Sequence, residues 1–262
     1  MQLITLTTDW GTKDFFAGMV KGKLYSDIPQ CRVVDISHGI EPQNTIEAII
    51  VAKNACPSFP EGTIHIIDVN SFESDKYSHV IIKCRGHYYI CTDNGIPFGL
   101  FEDDFEEVYR ISIYQDSNFY TFAALDLYAK VAVLIANGTP LEEIGEPLET
   151  LYRSPLMKAT NTAHTLSACV TYIDSYGNAY LNIEYNEFTK IQNDRKFTVL
   201  VKSISRYKEI NTISQSYADV EEGRCLVTVS GTGLMQLAVN RASAAKLLGL
   251  KMDDKIVFEF KN

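Results

Sequence analysis

The sequence has no cluster of positive charge. Its 24 Lys and Arg are outnumbered by 33 Asp and Glu, leaving a net charge of −9. Nucleic acid is bound through concentrated cations, so that partner class is excluded, whereas a small cationic ligand meets no such objection. No apolar run approaches the roughly 20 residues of a membrane span. The opening stretch MQLITLTTDW is too short and too polar for a signal segment and reads as a strand. The expectation is a cytoplasmic protein with no membrane partner. The six cysteines (Cys31, Cys56, Cys84, Cys91, Cys169, Cys225) form no CxxC pair. Cys84 and Cys91 share one hairpin, which leaves a bridge open there, but buried thiols in a reducing compartment are expected. No GxGxxG or phosphate-loop motif occurs, and no His, Cys or carboxylate group has metal-ligand spacing. Neither a metal nor a cofactor is expected. Tryptophan occurs once, at Trp10.

What is present suits one large folded domain or two modest ones: 262 residues, 46% hydrophobic and 22% charged. The first part alternates strand and helix. LITLTT is a strand ending at Asp9. A helix over Asp14–Tyr25 carries Phe15, Met19, Val20 and Leu24 as its apolar stripe. CRVVDI is a second strand, with Asp35 one residue short of its end. Asn44 followed by Glu47 signals a helix start, and GTIHIID is a third strand ending at Asp68. This βαβαβ order predicts a parallel sheet covered by helices, with ligands at the carboxyl ends of its strands. A hairpin (HVIIK, HYYIC), a turn at Asp93-Asn94-Gly95, a strand EVYRI and a helix over Thr121–Asn137 follow. That helix is predicted to bury Phe122, Leu125, Ala129, Val133 and Ala136. Residues 147–165 read as linker-like, and from 166 the chain turns to strands and short helical pieces. The predicted class is α/β: an N-terminal parallel-sheet α/β domain (1–150), a linker (151–165) and a smaller antiparallel, barrel-like β domain (166–262).

Six segments, in order, carry a resemblance: TTDWGTKDFFAGMVKG, VVDISHGIEPQN, FPEGTIHIIDV, GHYYICTDNGI, YIDSYGNAYLNI and GLMQLAVNRASAAKLLGL. They resemble motifs of the S-adenosylmethionine hydroxide adenosyltransferases, a family that also holds fluorinating and chlorinating enzymes. The resemblance implies a two-domain fold and a homotrimer. S-adenosylmethionine would bind between the N-terminal domain of one subunit and the C-terminal domain of the next, as substrate or ligand. The implied reaction displaces methionine from the ribose C5′ by water. The leaving thioether is neutral and needs no acid; the nucleophile must be aimed and deprotonated. In the family an Asp-Arg-His triad is assigned that task. Asp68 matches its Asp. The Arg position falls on Asp75, beside Lys76, and the His position falls on Ala123.

Three readings follow. In the first, the protein is a hydrolase with Asp68 retained, Lys76 as the cation and His79 or His87 as the imidazole. In the second, it is a trimer that binds an adenosyl ligand without turnover. In the third, it uses a different nucleophile. The resemblance assigns Asp9 to the ribose, Asp174, Tyr176 and Asn178 to the methionine and adenine groups, Asn240 to adenine, and Ser230, offset by one residue, to the ligand. Each has a plainer reading. Asp9 ends a strand, Asn178 completes a hairpin turn with Gly177, and Asn240 caps a helix. Asp93 and Asn94 are expected to be turn residues, His38 a structural hydrogen-bonding group, His65 a core histidine, His164 inert, and Trp10 a packing residue of the turn.

Overall fold

The computed structural model describes residues 1–155, 158–201 and 210–261, in two compact units divided after Pro155. The N-terminal unit begins β1 (Leu3–Thr8), α1 (Phe16–Asp27), β2 (Arg32–Ser37), α2 (Thr45–Ala55) and β3 (Ile64–Asp68). It continues β4 (His79–Cys84), β5 (His87–Thr92), α3 (Ile96–Phe101) and β6 (Glu107–Ile111). A π-helical turn (Ala124–Tyr128), α4 (Ala129–Ala136), α5 (Leu141–Ile144) and β7 (Gly145–Pro147) complete it. The sheet order is β2-β1-β3-β5-β4-β6-β7. β2, β1, β3 and β5 run parallel, whereas β4, β6 and β7 join antiparallel. The sheet is therefore mixed rather than wholly parallel, because the Arg85-Gly86 turn, with both φ positive, reverses the chain too tightly for a crossover.

Side chains alternate across this sheet. Ile4, Leu6, Ile64, Ile66, Ile81 and Ile90 face α1 and α4; Ile67, Val80, Ile82 and Cys91 face α2 and α3. Asn44 caps α2 by accepting from the Glu47 amide at 3.1 Å, and Glu47 Oε2 accepts from the amide of Glu41 at 2.9 Å. Two stripes differ from expectation. In α1, Val20 and Leu24 are buried, but Phe15 is 66% exposed and Met19 also faces outward. After β6, the π-helical turn inserts an extra residue per turn and shifts the phase. The buried residues there are Ala124, Leu127, Tyr128, Ala129, Val131 and Ala132, not a stripe through Phe122, Leu125 and Val133.

The stretch read as a linker carries structure. Leu148 N–H donates to the carbonyl of Val108, and Leu151 is buried in the N-terminal unit. Thr160–Asn161 forms β8, paired with β9 (Thr165–Ile173). The second unit continues with β10 (Ala179–Glu184), α6 (Tyr185–Gln192), β11 (Lys196–Val201), β12 (Ile213–Ser214), β13 (Cys225–Val229), β14 (Leu234–Val239), α7 (Ala244–Leu248) and β15 (Lys255–Lys261). These strands make one mostly antiparallel sheet, curled as a half-barrel around Phe188, Phe197 and Phe258. All six cysteines are free thiols. No helix among the described residues is long and apolar enough to cross a membrane.

Candidate active site

Strand alternation builds one polar group of side chains in the N-terminal unit. β1, β3 and β5 run parallel in register, so Thr8, Asp68 and Thr92 end side by side. β4 runs the other way, and its first residue, His79, pairs with Thr92. Counting by twos from Leu6, Ile66, Ile90 and Ile81, all four residues point to the face covered by α1 and the π-helical turn. They are the polar termination of an apolar layer, at the sheet edge where parallel strands deliver ligand-binding groups.

Asp68 is 3% exposed. Its Oδ2 accepts a hydrogen bond of 2.7 Å from the indole Nε1–H of Trp10, and its Oδ1 has no hydrogen-bond partner in the chain. Burial pushes the carboxyl up to about 6, against the opposing pull of Ser71 and Trp10 and with a further push from Asp9. A carboxylate of that kind is a stronger base than an exposed one, with one oxygen held and the other buried without a partner. Trp10 is fixed in turn. It stacks on His38 with ring centroids 5.7 Å apart and meets Phe122 edge-on at 5.3 Å, while Phe122 meets Phe16 at 5.1 Å. His38 accepts or donates at Nδ1 with Thr8 Oγ1 (2.7 Å), and its Nε2 lies 3.1 Å from Asp35 without hydrogen-bond geometry. Trp10 is thus more than a packing residue.

His79 is buried with Nδ1 3.1 Å from Thr92 Oγ1 and 2.7 Å from the hydroxyl of Tyr128, itself 2.8 Å from Thr92. Its Nε2 lies 3.9 Å from Glu73 in the loop after β3. Burial lowers His79 to about 4, so it is neutral at pH 7. Ala123, at the matched position of the triad histidine, opens the π-helical turn that supplies Tyr128. Lys76 is held elsewhere: its Nζ sits 4.9 Å above the ring of Tyr77 and 4.6 Å above that of Tyr152. His87 lies at the amino end of β5, opposite Cys84, and bonds His65 at 3.1 Å. It belongs to the other end of the sheet from Asp68, which removes it as the imidazole of this group.

The remaining residues of the first unit are placed as follows. Asp9 is half-buried and its Oδ2 accepts from the Gln43 amide at 2.8 Å. Asp93 accepts from the amide of Tyr152 at 2.8 Å, and Asn94 donates to the carbonyls of Val69 (3.1 Å) and Asn70 (2.8 Å). Both fasten loops. His65 is fully buried, with Nδ1 2.7 Å from Thr5 Oγ1. His164 is exposed.

In the second unit, Asp174 closes a turn on itself. Its Oδ1 accepts from the amides of Tyr176 (3.0 Å) and Asn178 (2.9 Å), and its Oδ2 from Asn178 Nδ2 (2.9 Å). The turn presents Tyr176, which is 82% exposed. Ser230 also serves a turn, accepting from the Leu234 amide at 3.1 Å, and Asn240 donates to the Val220 carbonyl at 2.7 Å. Asn240 does not cap α7; Ser243 does, accepting from Lys246 at 3.2 Å. Gly177 has φ +85°, and an added Cβ would lie 2.0 Å from Ser243 Oγ and 3.1 Å from its Cα. Gly177→Ala is therefore expected to destabilise by about 2 kcal/mol or more, through left-handed strain plus displacement of a helix cap. Thermal unfolding against the wild type checks this; an unchanged midpoint would show that the turn relaxes freely.

Comparison with known proteins decides the ancestry of both units. Residues 4–145 match the SAM hydroxide adenosyltransferase N-terminal domain, and residues 168–257 match the SAM hydroxide adenosyltransferase C-terminal domain. The chain belongs to the SAM hydroxide adenosyltransferase family. Within this family it is 26% identical over 269 residues to a protein of Methanocaldococcus jannaschii named (R)-S-adenosyl-L-methionine hydrolase, spanning 98% of this chain and 95% of that one. It is 25% identical over 283 residues to a protein of Actinopolyspora mzabensis named fluorinase, spanning 95% and 94%. Among solved structures, an uncharacterized conserved protein from Thermotoga maritima superposes with a TM-score of 0.87 at 27% identity, covering 97% of this chain and 99% of that one.

Thr8, Thr92 and Tyr128 are the members of this group that sequence reasoning does not single out, and Trp10 is read there only as a packing residue of the turn. A period-of-two reading of HVIIK and HYYICT places His79 and Thr92 together. Nothing local signals the indole bond, which joins residues 58 apart.

Proposed function

We propose that the protein binds S-adenosylmethionine and hydrolyses it to adenosine and methionine. The observation that carries this is Asp68: a buried carboxylate at the end of β3, one oxygen pinned and the other unpartnered, in a chain matched along both units to SAM hydroxide adenosyltransferases. Water attacks C5′, the C5′–S bond breaks, and its electron pair stays on sulfur as a neutral thioether. The proton of the attacking water passes to Asp68 Oδ1 and then to solvent. The positive sulfur attracts the carboxylate and its water, so no added cation is required to start the displacement. In this reading Asp9 receives the ribose hydroxyls, and Tyr176 offers an open ring for stacking. Asp174 and Asn178 shape the turn that carries Tyr176 and take the polar ends of the ligand. Ser230 and Asn240 support the adenine side. The trimer with sites shared between subunits is part of the same proposal, and sedimentation would report its mass.

The test is incubation of purified protein with both sulfur epimers of S-adenosylmethionine in ¹⁸O-water. The expected result is adenosine and methionine in equal amounts, with the label in the 5′-hydroxyl of adenosine. Adenosine no faster than without protein overturns the hydrolase reading. The acidic and alanine side chains at Asp75 and Ala123 favour a second reading, an adenosyl-binding protein without turnover. Calorimetric binding of S-adenosylmethionine with no product would support it.

A further inference from the structure

Asp68 lacks the two partners that the family resemblance assigns to it, yet its carboxylate is not loose. The residues around it supply two donors, the Ser71 hydroxyl and the Trp10 indole. Trp10 Nε1–H reaches Oδ2 at 2.7 Å, along a rigid planar side chain gripped between His38, Phe16 and Phe122. The position is specific: Trp10 is the single tryptophan of the chain, set next to Asp9 in the turn after β1. Indole donates and cannot accept, so the bond favours the ionised carboxylate and fixes which oxygen is spent.

We propose that Trp10 is the positioning residue for Asp68, replacing the absent arginine and histidine by pinning Oδ2 and leaving Oδ1 as the acceptor for the nucleophilic water. The inference rests on the hydrolase reading for its chemistry and on the 2.7 Å Trp10–Asp68 bond for the pair itself. The groups that face the pair are Asp9 from the end of β1, His38 with Asp35 behind it from the end of β2, Ser71 from the loop after β3, and Tyr128 from the π-helical turn. Asp9 and Tyr128 carry no positive charge to Asp68, so the indole and the Ser71 hydroxyl are the groups that hold its anion.

The arrangement provides its own reporter. With excitation at the red edge of indole absorption, where the 15 tyrosines contribute little, emission follows Trp10 alone. Wild-type protein is expected to show a change in intensity as Asp68 titrates, centred near pH 6. Asp68→Asn should abolish that change, and His38→Gln, which removes the other titratable ring neighbour, should keep it. A transition retained in Asp68→Asn, or lost in His38→Gln alone, overturns the pairing. Trp10→Phe keeps an aromatic ring against Phe122 but removes the donor. Its activity profile is expected to move its acid limb upward by about one pH unit, since a charge-assisted hydrogen bond is lost. A lower rate with the acid limb unmoved would assign Trp10 to packing only and overturn the positioning role. Wild-type protein with the Asp68-dependent fluorescence transition but no turnover overturns the hydrolase reading and, with it, the role in aiming water, while the pair itself stands.

Discussion

Asp68→Asn is expected to lose hydrolysis and gain stability. The loss follows from the proton: an amide oxygen cannot take it from water at C5′, and removal of a general base costs about 10²- to 10⁴-fold in rate. The gain follows from burial. The folded-state carboxyl titrates near 6, above its ordinary 3.8. A carboxyl raised on folding contributes its stability in full below the unfolded value and loses it as pH rises through the folded one. Above pH 6 the wild type therefore holds a buried anion at a cost on the order of 2–3 kcal/mol, which the neutral amide avoids. Asn keeps an oxygen for the Trp10 N–H, so the packing persists. Urea unfolding at pH 8 and pH 4.5 checks the sign: the variant should be more stable at pH 8, and its advantage should shrink to roughly a third at pH 4.5. An equal difference at both would show that charge burial is not the cause.

Acid should unfold the protein through its neutral histidines, and this is the second large effect. His65 stacks on Tyr89 with centroids 4.8 Å apart and bonds Thr5 and His87. Burial, helped by His87, lowers it to about 3, and burial lowers His79 to about 4. For a group lowered on folding, stability is complete above the unfolded value of 6.5 and drains as pH falls towards the folded value. At pH 5 each of these two histidines has forfeited on the order of 2 kcal/mol. Asp68 moves in the opposite sense over part of the same range and offsets some of this. Urea midpoints should fall steeply between pH 7 and 5. His65→Gln, less stable at pH 7, should show a shallower fall. A wild-type midpoint that stays level across this range would mean that both rings keep access to water.

These two expectations concern residues that the sequence treats unequally. Asp68 and His65 are legible, because IHIID is a strand whose end and middle can be counted, and a parallel strand's end is where ligands sit. The hairpin, the α2 cap and the β-rich second half are legible for the same local reasons. The mixed sheet is only half legible: a tight Arg-Gly turn reveals β4 against β5, but nothing local says that β4 then pairs with β6. The π-helical turn escapes a reading based on regular period, so the buried face of that helix is assigned to the wrong residues, and Tyr128 goes unnoticed. Asn240 before RASAAKLL offers a plausible cap, but chain direction places Ser243 there. The group around Asp68 depends on side chains brought together across the sheet, and Trp10, legible as a packing residue of the turn, shows its bond to Asp68 only in the fold.

Lys76, read as a replacement cation, is instead seated over two tyrosine rings. On a surface with a net charge of −9, carboxylate partners are plentiful. An ammonium tied to one of them would loosen as salt rises, because exposed ion pairs are screened. Rings hold it through a short-range quadrupole attraction. The segment between β3 and β4 is therefore anchored to Tyr152 by a contact that ionic strength weakens less than a salt bridge, and the loop that follows Asp68 keeps this hold in dilute and concentrated electrolyte alike.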